Sequence, residues 1–267
     1  MLPIERNNIE QIELLNQRGG RSLSIVDLAE AGTVSTEMAA LAWVLVENGT
    51  SFLTGAVPGG AGKTTLMASL LGFMPAGERI VTAADADVVG QAAAGRIQPP
   101  FCLLAHEIGQ GRWYAYIWGN VARQFFSVRG PGRRRVTCLH ADTPAQAATI
   151  LDACSVQPED AGAIGMELFI RAMGSFRPVR RVTAMHCRLG GEMAPVYRWR
   201  ESDDGFEALA GREELAAALA PSCALPAEAF AARWERCDRF LRQMLADGVR
   251  RWEDVRARVL AAAGAGG

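Results

Sequence analysis

The chain has 267 residues, 49% of them hydrophobic, and its 28 lysines and arginines nearly balance 29 aspartates and glutamates. That length can bury a substantial interior, and the charge balance leaves no global field favouring direct binding of nucleic acid or an anionic membrane. The N-terminal "MLPIERNNIEQIELL" carries charges where a signal peptide needs an apolar block.

The first 20 residues read as an amphipathic lead-in, with Ile9, Ile12, Leu14 and Leu15 on a partial helical stripe. "SLSIVDLAEAG" (Ser22–Gly32) reads as a short helix. Ser35–Gly49 is a clearer one, with Ser35 as cap, Glu37 in the first turn and Gly49 closing it. The period then changes. Ser51–Val57, Arg79–Ala84, Pro100–His106 and Arg134–His140 are short apolar runs bounded by turn residues, which predicts buried strands. Helical stretches at Lys63–Leu71, Ala86–Ala94 and Trp113–Val128 lie between them. This alternation predicts an α/β sheet, mostly parallel, with ligand-holding loops at the strand C-termini.

The most apolar windows, Met38–Val46 and Phe52–Val57, fall short of the ~20 residues that span a bilayer, so no transmembrane segment is expected and the protein reads as cytoplasmic. Beyond a helix at Pro144–Ala153, "MELFIRAM", "RRVTAMHCRL" and "APVYRWR" predict further strands, some antiparallel, with a hairpin turn at Gly190-Gly191. After a polar break at Arg200–Gly205 the chain reads as helical through Glu228–Leu245 and Glu253–Leu260, with a fraying "AAAGAGG" end. The expected division is 1–48 as helical lead-in, 49–200 as core and 201–267 as helical extension. The six cysteines are scattered without a C-x-x-C pair and read as reduced thiols. Cys138/His140 and His186/Cys187 match no usual zinc spacing.

"TGAVPGGAGKTTLMASLLGF" (Thr54–Phe73) carries the chemistry. A strand, a glycine-rich bend and Lys-Thr opening a helix are what a triphosphate requires. Glycines let successive N–H groups turn inward, and the helix N-terminus adds partial positive charge. Gly59, Gly60, Ala61 and Gly62 form the bend, Lys63 reaches the β/γ-phosphates, Thr64 ligates Mg²⁺, and Thr65 donates on the α-phosphate side. The pattern G-x-x-x-x-G-K-[ST] has Val57 at its first position, a poor residue there if positive φ is needed.

With the loop placed, four stretches resemble the traffic ATPases of type II and type IV secretion, type IV pili and archaeal flagella. They are the segment from Gly32 through the loop to Val88, "LHADTPAQAATIL" (Leu139–Leu151), "RRVTAMHC" and the helical "FAARWERCDRFLRQMLADGVRRWEDV". The resemblance implies a P-loop NTPase with a RecA-like core and a C-terminal helical extension, using ATP and Mg²⁺. It also implies a homo-oligomer, in that family a hexameric ring, working with a membrane-embedded secretion or pilus assembly. It marks His140 as the histidine beside the γ-phosphate. Three departures stand out. Ala84 and Asp85 occupy the place of the family's Glu-Asp, whose glutamate activates water. His106-Glu107 replaces the Gly-Glu that ends the Walker B strand. The family's separate N-terminal domain has no counterpart before Gly32.

Hydrolysis needs a group that orients or deprotonates water, with positive charge for the transition state. Glu107 is the candidate for that role and for Mg²⁺. Asp85 either assists it or caps the helix from Ala86, and Asp142 and Thr143 read as caps of the next helix. "RGPGRRR" (Arg129–Arg135) reads as a solvated hairpin tip rather than an arginine finger. "RWYAYIWG" (Arg112–Gly119) reads as core or subunit packing rather than a stacking platform. Two functions are consistent with these residues: an ATP-hydrolysing motor subunit, or a nucleotide-binding regulator with little hydrolysis.

Overall fold

The computed structural model describes residues 3–16, 19–176 and 178–264. Helices α1 (Pro3–Glu13), α2 (Ile25–Glu30) and α3 (Thr36–Glu47) precede β1 (Phe52–Gly55). Then follow α4 (Lys63–Leu71), β2 (Arg79–Thr82), α5 (Ala86–Ala93) and β3 (Phe101–Leu104). Two short strands, β4 (Glu107–Ile108) and β5 (Tyr116–Ile117), lead to α6 (Asn120–Ser127), β6 (Arg133–Leu139), α7 (Pro144–Ala153) and the single turn α8 (Pro158–Ala161). The long strands β7 (Met166–Met173), β8 (Val179–Leu189) and β9 (Glu192–Arg200) come next. The short β10 (Gly205–Ala208) precedes α9 (Arg212–Leu219), α10 (Ala227–Ala246) and α11 (Trp252–Gly264).

The strands form one sheet with the main path β10-β9-β8-β7-β1-β6-β3-β2. From β7 to β2 every neighbour is parallel, and β8, β9 and β10 add an antiparallel wing. This is the mixed α/β fold with a largely parallel sheet that the alternation predicts. β1 lies between two parallel partners and all four of its residues are buried. Successive side chains serve opposite faces: Phe52 joins the core under α1–α4 and α9–α11, and Leu53 the core under α5–α7.

The apolar window Met38–Val46 is a helix buried along all nine residues. It is sandwiched rather than membrane-spanning: α10 crosses it, with Trp234 Nε1 donating to the Glu37 carbonyl at 2.9 Å and Arg233 bidentate on Glu47 at 2.6 Å. No single helix among the described residues is long and apolar enough to cross a membrane. At the far edge of the sheet, Asn8 of α1 acts as a substitute strand. Its side chain accepts from Ile80 N at 2.7 Å and donates to the Glu78 carbonyl at 2.8 Å, satisfying backbone groups of β2 that would otherwise lack partners.

Several expectations are corrected. Only Asn120–Ser127 of the predicted Trp113–Val128 helix is helical, because Ala115 sits at positive φ and the chain turns into β5. The basic run is a solvated turn only at residues 129–132, and it leads from α6 into β6 rather than closing a hairpin. Arg134 and Arg135 are strand residues and buried, Arg134 forked onto Glu78 at 2.8–2.9 Å and Arg135 donating to the Phe126 and Ala163 carbonyls. Trp113 is not core: it is 70% exposed. The polar break at Arg200–Gly205 turns β9 into β10 before the helices begin. Helix α11 runs to Gly264, so the "AAAGAGG" end starts inside a helix, and residues 265–267 lie outside the described residues.

Glu167 on β7 faces His186 on β8, and burial raises its carboxyl to about 7, partly offset by Arg188. A carboxyl that binds its proton more tightly folded than unfolded stabilises fully below the unfolded value and loses that stability as pH rises through about 7. Glu167→Gln is therefore expected to raise unfolding free energy at pH 8 by about 3 kcal/mol, a gain that shrinks towards pH 5 in urea melts.

Candidate nucleotide-binding site

The site grows from the C-terminal end of β1. At Gly55 an added Cβ would lie 2.4 Å from the Ala141 carbonyl oxygen and 2.6 Å from the Phe169 ring, so only glycine lets the chain leave the sheet between β6 and β7. The bend returns into α4 through Gly62, whose φ of 108° no β-carbon-bearing residue adopts readily. Thr54 Oγ1 donates to the Lys63 carbonyl at 3.1 Å, tying the strand to the first turn of the helix.

Val57 has no need of glycine here, since its φ is not positive. Its N–H donates to Asp142 Oδ1 at 2.9 Å, and its carbonyl lies 2.8 Å from His140 Nδ1. Asp142 is thus a clamp on the loop rather than a helix cap. Thr143 is the cap of α7, accepting from Gln146 N at 3.3 Å.

Lys63 is buried, 6% exposed, with Nζ 3.4 Å from Glu107 Oε2, 3.3 Å from His140 Nδ1 and 3.3 Å from the Ala56 carbonyl. His140 Nε2 in turn lies 3.1 Å from Glu107 Oε1. Glu107 reaches this point because β4 pairs with both β6 and β5 just beyond the tip of β3. Its cross-strand neighbour is Tyr116, which hydrogen-bonds it; burial and then the Glu107 charge push the phenol up to about 12. His106 faces away, edge-on to Tyr114 at 5.2 Å, and burial lowers its imidazole to about 4.

These groups open into a cavity of about 760 Å³, whose wall includes Gly59, Gly60, Gly62, Lys63, Thr64 and Thr65. That size is within the ~300–1,000 Å³ typical of small-molecule sites. Among the sequence candidates, Glu107 and His140 join the loop at the cavity. Ala61 is buried and not part of its wall. Asp85 stands apart: its Oδ1 accepts from Val88 N at 2.9 Å and caps α5. Sequence reasoning missed Tyr116, Asp142 and Arg180 as members of the site. The alternating aromatics of "YAYI" were the available signal for Tyr116. For Arg180, whose Nη2 lies 3.5 Å from the Gly60 carbonyl, there was none.

Thr64 and Glu107 supply a hydroxyl and a carboxylate at one end of the cavity, an all-oxygen donor set that suits Mg²⁺ shared with phosphate.

No protein-family model and no curated protein matches the chain. Among solved structures, the VirB11 ATPase from the Brucella suis type IV secretion system, in complex with sulphate, is similar at 13% identity and a TM-score of 0.40. The match covers 69% of this chain and 56% of that one, so the chain spans little more than half the length of that protein.

Gly62→Ala tests the loop geometry. The new Cβ would meet Arg180 Cδ at 3.2 Å and Ile170 Cδ1 at 3.3 Å on a strained backbone. The expected cost is about 1–2 kcal/mol in urea melts with an unchanged m value.

Proposed function

We propose that this chain binds a nucleoside triphosphate with Mg²⁺ and hydrolyses it as an ATPase. The observation that carries the reading is the buried Lys63 ammonium at the head of α4, 3.4 Å from Glu107 and facing a glycine-walled cavity. A buried ammonium needs an anionic partner, and triphosphate oxygens would take that role from Glu107. Released from Lys63, the carboxylate can orient water, with His140 holding its second oxygen and Tyr116 fixing its position. Bound Mg²⁺ would supply charge neutralisation at the phosphates, with Thr64 and Glu107 as its protein-side donors.

The core strand order β7-β1-β6-β3-β2, with the loop after the interior strand β1, supports a RecA-like NTPase core. The motifs "PGGAGKTT" and "LHADTP" support placing the activity among secretion and pilus motors, acting as a cytoplasmic homo-oligomeric ring beside a membrane-embedded assembly. A second reading, nucleotide binding with little hydrolysis, is favoured by Ala84 and by the engagement of Asp85 in capping α5.

Phosphate release and ATP binding by wild type, Lys63→Ala and Glu107→Gln separate the two. Hydrolysis predicts that Lys63→Ala loses binding, while Glu107→Gln keeps it and turns over about 10²–10⁴-fold more slowly. Equal, negligible release by all three with intact wild-type binding supports the regulator.

A further inference from the structure

Three arginines gather at the edge where the parallel strands begin, opposite the glycine-rich bend. Arg79 opens β2 and Arg133 opens β6, and both stand in register with Phe101, which opens β3 between them. Residues in register on parallel strands share a face, so the two side chains flank the buried Phe101, two strand spacings or about 10 Å apart. Both also reach the segment that joins α5 to β3. Arg79 Nη2 donates to the Gln98 carbonyl at 3.1 Å, and a Cβ added at Gly95 would lie 3.7 Å from Arg133 Nη2. Arg96, between those two points, is exposed. The connecting segments interlock: Phe101 N donates to the Gly132 carbonyl at 2.8 Å, and a Cβ added at Gly132 would lie 3.2 Å from Pro99 Cβ. One packed frame therefore carries all three guanidinium groups.

None of the three has a carboxylate partner among the described residues. Arg79 donates to Gln98, Arg133 to the Arg129 carbonyl at 3.5 Å, and the Arg96 side chain to no group there. Acidic groups on the adjoining segments are engaged elsewhere: Glu78 is forked by Arg134, and Asp160 lies 2.8 Å from Arg129 Nε. Glu159 stands exposed on α8, where its carbonyl accepts from Arg129 at 3.4 Å. The edge thus keeps a local positive charge in a chain whose formal total is -1. Elsewhere the chain joins distant segments by forking an arginine onto a carboxylate. Arg233 on Glu47, Arg250 on Glu30 and Arg256 on Glu5 fasten the C-terminal helices to the N-terminal ones, with bonds of 2.6–3.0 Å. The guanidinium fork matches the two oxygens of a carboxylate. A balanced total charge gives no broad field to hold a membrane or a nucleic acid, which favours this short-range recognition.

We propose that this edge docks an acidic segment of a partner protein, whose aspartate or glutamate side chains are forked by Arg79, Arg96 and Arg133. The partner repeats between chains the contact by which this chain fastens its own helices. Lys63 follows the opposite end of the parallel strands, so the docked segment leaves the cavity open. The inference is independent of the nucleotide reading.

Fluorescence anisotropy of a labelled hexaglutamate peptide, titrated with the full chain at low salt, tests the surface. Labelled hexathymidylate and phosphatidylglycerol vesicles serve as rival probes. Wild type is expected to bind hexaglutamate, more weakly as salt is added. Combining Arg79→Gln, Arg96→Gln and Arg133→Gln should lower that affinity at least about 10-fold. Arg112→Gln, at an exposed arginine near the other end of the strands, should leave it within about twofold. Thermal melts check that the triple variant folds. Arg96→Gln alone disturbs no side-chain contact among the described residues and should still cost about 2–4-fold. Failure of wild type to bind hexaglutamate overturns the proposal, as does equal binding by the Arg96 and Arg112 variants. Tighter, arginine-dependent binding of hexathymidylate or vesicles overturns the choice of an acidic protein segment. Self-association of wild type that the triple variant loses gives the edge to a second copy of this chain instead.

Discussion

A buried ammonium facing a buried carboxylate is the contact around which this molecule is arranged. Lys63 and Glu107 are each less than 10% exposed and 3.4 Å apart. Desolvating two charges costs several kcal/mol per ion, a cost their attraction offsets only when other hydrogen bonds complete the geometry. Here the Ala56 carbonyl, His140 and Tyr116 do so. Neither charge could be removed alone without leaving the other uncompensated, so the pair is well suited to exchange partners and poorly suited to losing them. An incoming polyanion at the head of α4 meets both the ammonium and the helix N-terminus.

The rest of the architecture holds α4 still. Its C-terminal half is gripped by α11, where Trp252 Nε1 donates to the Ala68 carbonyl at 3.2 Å and Arg256 donates to the Gly72 carbonyl at 3.1 Å. Arg256 also forks onto Glu5 of α1, so N- and C-terminal helices meet on the helix that follows the glycine-rich loop. Arg250, between α10 and α11, is bidentate on Glu30 and accepts through its carbonyl from Arg21. The end of the cavity lined by Arg21 is therefore tied directly to the C-terminal helices.

What the sequence revealed was local. The glycine bend, Lys63 and Thr64 are consecutive, and their chemistry depends on spacing alone; the capping of α3 by Ser35 and of α7 by Thr143 is likewise set within four residues. The parallel core was legible because strands and helices alternate at short intervals. What escaped depends on contacts distant along the chain. Asp142 reads as a cap until β6 brings it beside Val57, 85 residues earlier. Arg134 and Arg135 look like surface charge because nothing in "GPGRRR" reveals Glu78 or the carbonyls that neutralise them. Tyr116 becomes part of the site only because β4 and β5 add a two-residue ladder at the tip of β3. Val57 reads as a defect in the loop, yet the position tolerates it because the left-handed backbone falls at Gly60 and Gly62 instead.

The exchange of partners at Lys63 is tested most directly by a crystal structure of the full chain grown with Mg²⁺ and a non-hydrolysable ATP analogue. The account predicts terminal phosphate oxygens within about 3 Å of Lys63 Nζ, with the ammonium drawn away from Glu107. A structure in which Lys63 still rests on Glu107, with the analogue absent from the bend or bound elsewhere, would contradict it.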